Sequence, residues 1–115
     1  MQNLEIKKQE TLDKLLPLNG LIEAGKKYAG GDDPNNYLLS PINGIFKGLG
    51  NTLVFYGTLE LFYPDCKLLA EKVKGFENFT FHEFPEMQHD WVVFPIPEAV
   101  ETLNIAIEFI LKQNL

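Results

Sequence analysis

The apolar positions of this chain fall into a few short patterns with polar stretches between them. Thr52-Leu53-Val54-Phe55-Tyr56-Gly57 is almost continuously apolar. A run of that kind suits a strand covered on both faces, as in a parallel sheet. Phe79 to Phe84 is a second strand-like run. Between them, Pro64 and Asp65 open a helix that reaches Lys74. Cys66, Leu69, Ala70 and Val73 form its apolar stripe, and Gly75 ends it. Strand, helix and strand make one βαβ unit, which predicts parallel strands and a right-handed crossover. A last helix runs from about Pro97 to Lys112 and sets Val100, Leu103, Ile107 and Ile110 on one face.

The first fifty residues are less regular. Glu5 to Leu16 reads as a ragged helix. Asn19 is expected to cap a helix from Gly20 to Ala29, with Leu21, Ala24, Gly25 and Tyr28 on one face. Gly30-Gly31 supplies its stop. Asp32 to Gly50 is a long loop rich in turn formers, and loops of that length in compact domains are often functional.

Composition narrows the classes. A chain of 115 residues fits one small domain with one modest core. No apolar run approaches the ~20 residues that span a bilayer. The start, MQNLEIKKQE, has no apolar signal-peptide core. Cys66 is the only cysteine, so an internal disulfide is impossible, and a reducing cytoplasm is the simplest home. The net charge of −6 arises after Gly50, and the surplus serves solubility. All ten basic residues are lysine. With no arginine fork and no basic patch, nucleic acid is not expected as a partner.

Ligands of open α/β sheets bind beyond the carboxyl ends of the strands. Two candidate residues lie there. Glu60 follows the first strand, and His89 lies on the loop Phe84-Pro85-Glu86-Met87-Gln88-His89-Asp90-Trp91 after the second. Imidazole titrates near neutrality and suits proton transfer. A carboxylate and a histidine on neighbouring strand ends are two thirds of a nucleophile–His–acid triad. His82, inside a strand, is expected to be structural. Cys66 lies near a helix start, where a thiol can be activated, but its place on the apolar stripe favours packing. Cys66, His82 and His89 lack metal-ligand spacing. Trp91, Phe62 and Tyr63 are candidates to line an acyl pocket, although aromatic residues more often fill cores.

Three stretches together resemble the C-terminal part of an α/β-hydrolase, in the esterase and lipase family related to hormone-sensitive lipase. LIEAGKKYAGGDDPNNYLLSPINGIFKGLG is similar to the family's segment before the penultimate core strand. NTLVFYGTLELFYPD is similar to the strand that ends in the acid loop, and FHEFPEMQHDWVVFPIPEA to the final strand and histidine loop. The resemblance covers about Leu21 to Ile110. It implies an α/β fold in which residues 1–115 are the C-terminal portion of a hydrolase domain, a parallel βαβ unit with flanking helices. It implies His89 as general base and Glu60 as the acid, where many relatives carry aspartate. Asp65 is the rival acid and is expected instead to cap its helix.

The family's serine elbow, G-x-S-x-G, and its HGGG-type oxyanion segment do not occur in these 115 residues. Ser40, the only serine, sits in LLSPING. The expectation is therefore a fragment of a carboxylic ester hydrolase with little activity alone and no metal or organic cofactor. Small esters are the substrates that the resemblance implies. The alternatives are an oligomerising interaction module and one half of a split esterase, and a homo-oligomer is expected.

Overall fold

The structure, a computed structural model, describes residues 4–113. Helices α1 (Ile6–Gln9) and α2 (Leu18–Ala29) come first. Strand β1 (Thr52–Gly57), helix α3 (Tyr63–Lys72) and strand β2 (Phe79–Phe84) follow, and helix α4 (Pro97–Leu111) closes the chain. Single 3-10 turns form at Pro41–Asn43 and Trp91–Val93. Among the described residues, no helix is long and apolar enough to cross a membrane.

β1 and β2 pair in parallel, as the βαβ pattern predicts. Their register is in step, with Thr52 opposite Phe79 and Gly57 opposite Phe84. Both strands therefore end at the same level, and the loops that follow leave one edge of the sheet side by side. Aromatic contacts tie the pair together: the His82 ring stacks on Phe55 at 5.5 Å, which gives that histidine its structural role.

Helix ends follow proline and glycine chemistry. Pro64 and Pro97 sit in first turns, where the missing N–H costs nothing. Gly30 ends α2 at φ 60°, a left-handed position that glycine occupies without strain. Two expected caps are corrected. α2 starts at Leu18, one turn of which is closed by the Leu21 N–H on the Pro17 carbonyl, so Asn19 lies inside the helix. α3 starts at Tyr63 after Phe62, so Asp65 is in the first turn rather than at the cap. Its carboxylate there favours the positive helix end. Of the ragged helix expected over Glu5 to Leu16, only α1 forms.

The core is small. Ile6, Leu18 and Leu61 are buried together, with Leu16, Leu21 and Ile22 packed around them. The expected α4 stripe is not part of it. Val100, Leu103, Ile107 and Ile110 are each at least half exposed, and the buried positions of the helix are Ala99 and Thr102. On α2 likewise, Ala24, Gly25 and Tyr28 are exposed, and Leu21 is half-buried. Leu21, Gly25 and Tyr28 border an open groove of about 510 Å³ between α2 and the Gly31–Ser40 loop. β1 is half-buried over Thr52–Phe55 and buried only at Tyr56 and Gly57. The accessible surface is 8151 Å², against about 6,400 Å² for a compact monomer of this mass. The sequence patterned these faces for burial, and this chain leaves them uncovered.

Candidate active site

The in-step strand ends bring the two candidate residues together. Glu60 stands three residues beyond Gly57, and His89 five beyond Phe84. The loops between are laced to each other. The Thr58 N–H donates to the Phe84 carbonyl (3.1 Å), the Leu59 N–H to the Met87 carbonyl (3.1 Å), and the Glu86 N–H to Thr58 Oγ1 (2.8 Å). Glu86 (φ 59°) and Asp90 (φ 53°) adopt left-handed backbone on either side of the histidine. Each costs about 1 kcal/mol for a side-chain-bearing residue, which the loop lacing offsets.

Glu60 is 4 % exposed. One oxygen, Oε2, accepts the Gly57 N–H at 2.9 Å, and the other, Oε1, faces His89 Nδ1 at 3.3 Å. A buried carboxylate is stable only when its oxygens have donors. With Oε2 held by the backbone, Oε1 is left for the imidazole. This arrangement selects the Nδ1–H tautomer, since a carboxylate accepts and does not donate. Nε2 is then the basic nitrogen. The imidazole is partly open, at 31 % exposure, and Asp90 Oδ2 lies 3.5 Å from Nε2 on an exposed side chain. A contact that exposed is weak and salt-screened. Apo separations of this kind are often longer than those in a working complex.

The remaining expected residues divide. The Phe62 ring meets the His89 ring edge-on at 5.3 Å and covers one side of it. Trp91 is buried, packs its ring at a tilt against Phe84 at 4.9 Å and donates from Nε1 to Thr102 Oγ1 (2.8 Å), so it is spent on packing. The Tyr63 hydroxyl donates to Glu83 Oε1 at 3.1 Å. The Ser40 hydroxyl donates to the Pro34 carbonyl at 2.6 Å within the long loop. Sequence reasoning missed Asp13 and Gln88. Asp13 is buried and accepts three backbone N–H groups, one of them from Leu61. A lone aspartate in Thr11-Leu12-Asp13-Lys14-Leu15-Leu16 carries no pattern that marks it as buried.

Cys66 is not activated. Burial pushes its thiol up to about 12, and the Glu60 and Asp65 carboxylates add to the rise. The neutral thiol is expected to react slowly with Ellman's reagent in the folded chain and rapidly in urea. The sign of the linkage also follows. Between the ordinary thiol value of 9.0 and about 12, the unfolded chain loses a proton that the folded chain keeps. Stability is therefore expected to fall as pH rises through that window. Fast reaction with the same reagent without denaturant would show a different thiol environment.

With this geometry in view, likeness to known proteins is informative. The sequence pattern of the alpha/beta hydrolase fold matches residues 2–93. The chain belongs to the α/β-hydrolase fold family. An acetyl-hydrolase from Streptomyces hygroscopicus is 31% identical over 99 residues, which are 84% of this chain and 33% of that protein. The crystal structure of an esterase/lipase from an uncultured bacterium superposes with a TM-score of 0.83 at 26% identity, over 94% of this chain and 37% of the other. An esterase of the bacterial hormone-sensitive lipase family gives a TM-score of 0.89 at 24% identity, over 97% of this chain and 39% of its own, and shows the shared fold. The chain thus spans little more than a third of the length of these α/β-hydrolases.

Proposed function

We propose that this chain carries the general base and the orienting acid of a carboxylic ester hydrolase, and that its nucleophile is a serine elbow outside these 115 residues. The supporting observation is the contact between Glu60 Oε1 and His89 Nδ1 at the common end of two in-step parallel strands. The similarity to an acetyl-hydrolase and to an esterase/lipase supports the choice of ester hydrolysis as the reaction. In the reaction, a serine hydroxyl attacks the ester carbonyl while His89 Nε2 takes its proton. The same nitrogen returns the proton to the departing alcohol, and Glu60 holds the imidazolium formed between the two steps. Water then repeats the cycle on the acyl-serine and releases the acid.

Joining an elbow-bearing segment of a related esterase ahead of this chain is expected to raise p-nitrophenyl ester hydrolysis well above that of the chain alone. A joined protein that folds and shows no gain would count against the proposal.

The uncovered surface favours a second reading beside the first, in which the chain associates with itself. The excess over a compact monomer is roughly 1,700 Å², about twice what one partner contributes to a standard interface. Expected contacts are the open edge of β1 and the Val100, Leu103, Ile107 and Ile110 face of α4. Light scattering at micromolar concentration should show a dimer or larger, and Ile107→Glu should shift it toward monomer. A wild-type monomer would rule this reading out. Co-purification with a separate chain bearing G-x-S-x-G would favour a split esterase instead.

A further inference from the structure

A second buried carboxylate stands directly behind the acid loop. Asp13 is 6 % exposed, and backbone donors from two parts of the chain use its oxygens. Oδ1 accepts the Leu15 and Leu16 N–H groups at 2.8 Å each, and Oδ2 accepts the Leu61 N–H at 2.7 Å. Leu61 immediately follows Glu60 and is wholly buried. At the other end of the same loop, Gln9 Nε2 donates to the Thr58 carbonyl at 3.1 Å. The loop that carries Glu60 is therefore held at both ends by the Gln9–Leu16 segment.

That segment also holds the histidine loop. Gln88, the residue before His89, accepts the Lys14 N–H at Oε1 (2.8 Å) and donates from Nε2 to the Leu12 carbonyl (2.8 Å). The residue after the acid and the residue before the base are thus tied to one strap, within two residues of Asp13. We propose that Asp13 is a positioning residue for the Glu60–His89 pair, and that Gln88 is its counterpart on the histidine side. This role rests on the reading of Glu60 and His89 as acid and base.

The chemistry calls for a carboxylate. Two oxygens that only accept can take three N–H donors at once. An asparagine keeps one such oxygen and turns an NH₂ group toward the third donor. An Oδ1 that stays on Leu15 and Leu16 therefore sets donor against donor at Leu61. The Leu61 amide is left unbonded in a buried place, and the turn that aims Glu60 is released. Glu60 then keeps only its bond to the Gly57 N–H, and its hold on the Nδ1–H tautomer of His89 is loosened.

The test reads that tautomer in the full chain through the ring ¹⁵N shifts of His89 in mildly alkaline buffer. His82, stacked on Phe55 in β2, serves as the internal reference. The wild type is expected to show a protonated Nδ1 and a bare Nε2. Asp13→Asn should lose that signature at His89 and leave His82 unchanged. Asp33→Ala, which removes a comparable turn bond to the Asn35 N–H on the exposed loop, should change neither. A merely structural Asp13 would lower Tm but keep the His89 signature below it, and that result overturns the proposal. If Asp13→Asn does not fold, Gln88→Ala decides, because it spares the buried carboxylate. A partial loss of the signature supports the strap, and an unchanged one overturns it. Glu60→Gln separates the two readings. A His89 signature that ignores Glu60→Gln defeats the acid–base pair and the strap together. One that responds to Glu60→Gln but not to Asp13→Asn defeats the strap alone.

Discussion

In a protein that joins a serine elbow to this chain, His89→Ala is expected to reduce kcat for ester hydrolysis on the order of 10⁴- to 10⁶-fold. The substitution removes the group placed to take the serine proton, and among the described residues no other imidazole stands beside Glu60 to replace it. Asp90 Oδ2 lies 3.5 Å from Nε2, but its side chain is 70 % exposed, and a carboxylate so open is not held in place for proton transfer. KM should change little, since His89 acts on the reacting atoms rather than on the acyl chain. Glu60→Gln should be nearly as severe, about 10⁴-fold, for a reason specific to this loop. The Gly57 N–H requires an acceptor at 2.9 Å, so the glutamine oxygen must turn toward it. The NH₂ group then faces His89 Nδ1 and forces the tautomer with its proton on Nε2, which cannot accept a proton from serine. Steady-state kinetics on the two variants, with circular dichroism to confirm folding, check both expectations. Retention of a tenth of the wild-type rate by either would remove that residue from the proposed role.

Gly57→Ala is expected to be the most damaging single-methyl change for stability. A Cβ built at Gly57 falls 2.1 Å from the Met87 carbonyl oxygen and 2.6 Å from its carbon. Both atoms are backbone, and the same carbonyl accepts the Leu59 N–H that laces the two loops. The clash has no flexible side chain to absorb it, so either the strand ends spread or the histidine loop moves. A cost of about 3 kcal/mol or more is expected from overpacking at a rigid contact. That is a large part of the marginal stability of a small domain. Thermal unfolding should show Tm lower by about 10 °C or more. Gly75→Ala is the matched control, because a Cβ there meets nothing within 4 Å and the backbone is unstrained. Equal melting of the two variants would show that the close approach at Gly57 is not rigid. The damage should reach the site as well, since Met87 lies two residues before His89.

These two sites also show what a sequence makes legible. β1 and β2 lie where the apolar runs put them, and α3 and α4 differ from expectation by one or two residues at their ends, because each signal is local. Glu60 and His89 were recognisable as residues just past strand ends. Their meeting depends on register, and the step of Gly57 opposite Phe84 is decided by packing rather than by either strand alone. Apolar periodicity places Val100, Leu103, Ile107 and Ile110 on one face of α4, but it cannot say what covers them. The start of α2 misled because Asn19 has a capping side chain, whereas the helix begins at Leu18 behind the fixed φ of Pro17. Asp13 and Gln88 were invisible for a different reason. They act across 48 and 74 to 76 residues of chain, on backbone groups that every residue type shares.

The measurement that bears most directly on the account is p-nitrophenyl ester hydrolysis by the 115-residue chain alone, compared between wild type and His89→Ala. The expected result is a weak background rate that is the same in both, because His89 and Glu60 have no serine elbow to activate. A substantial rate that disappears in His89→Ala would contradict the account and place a nucleophile within these residues.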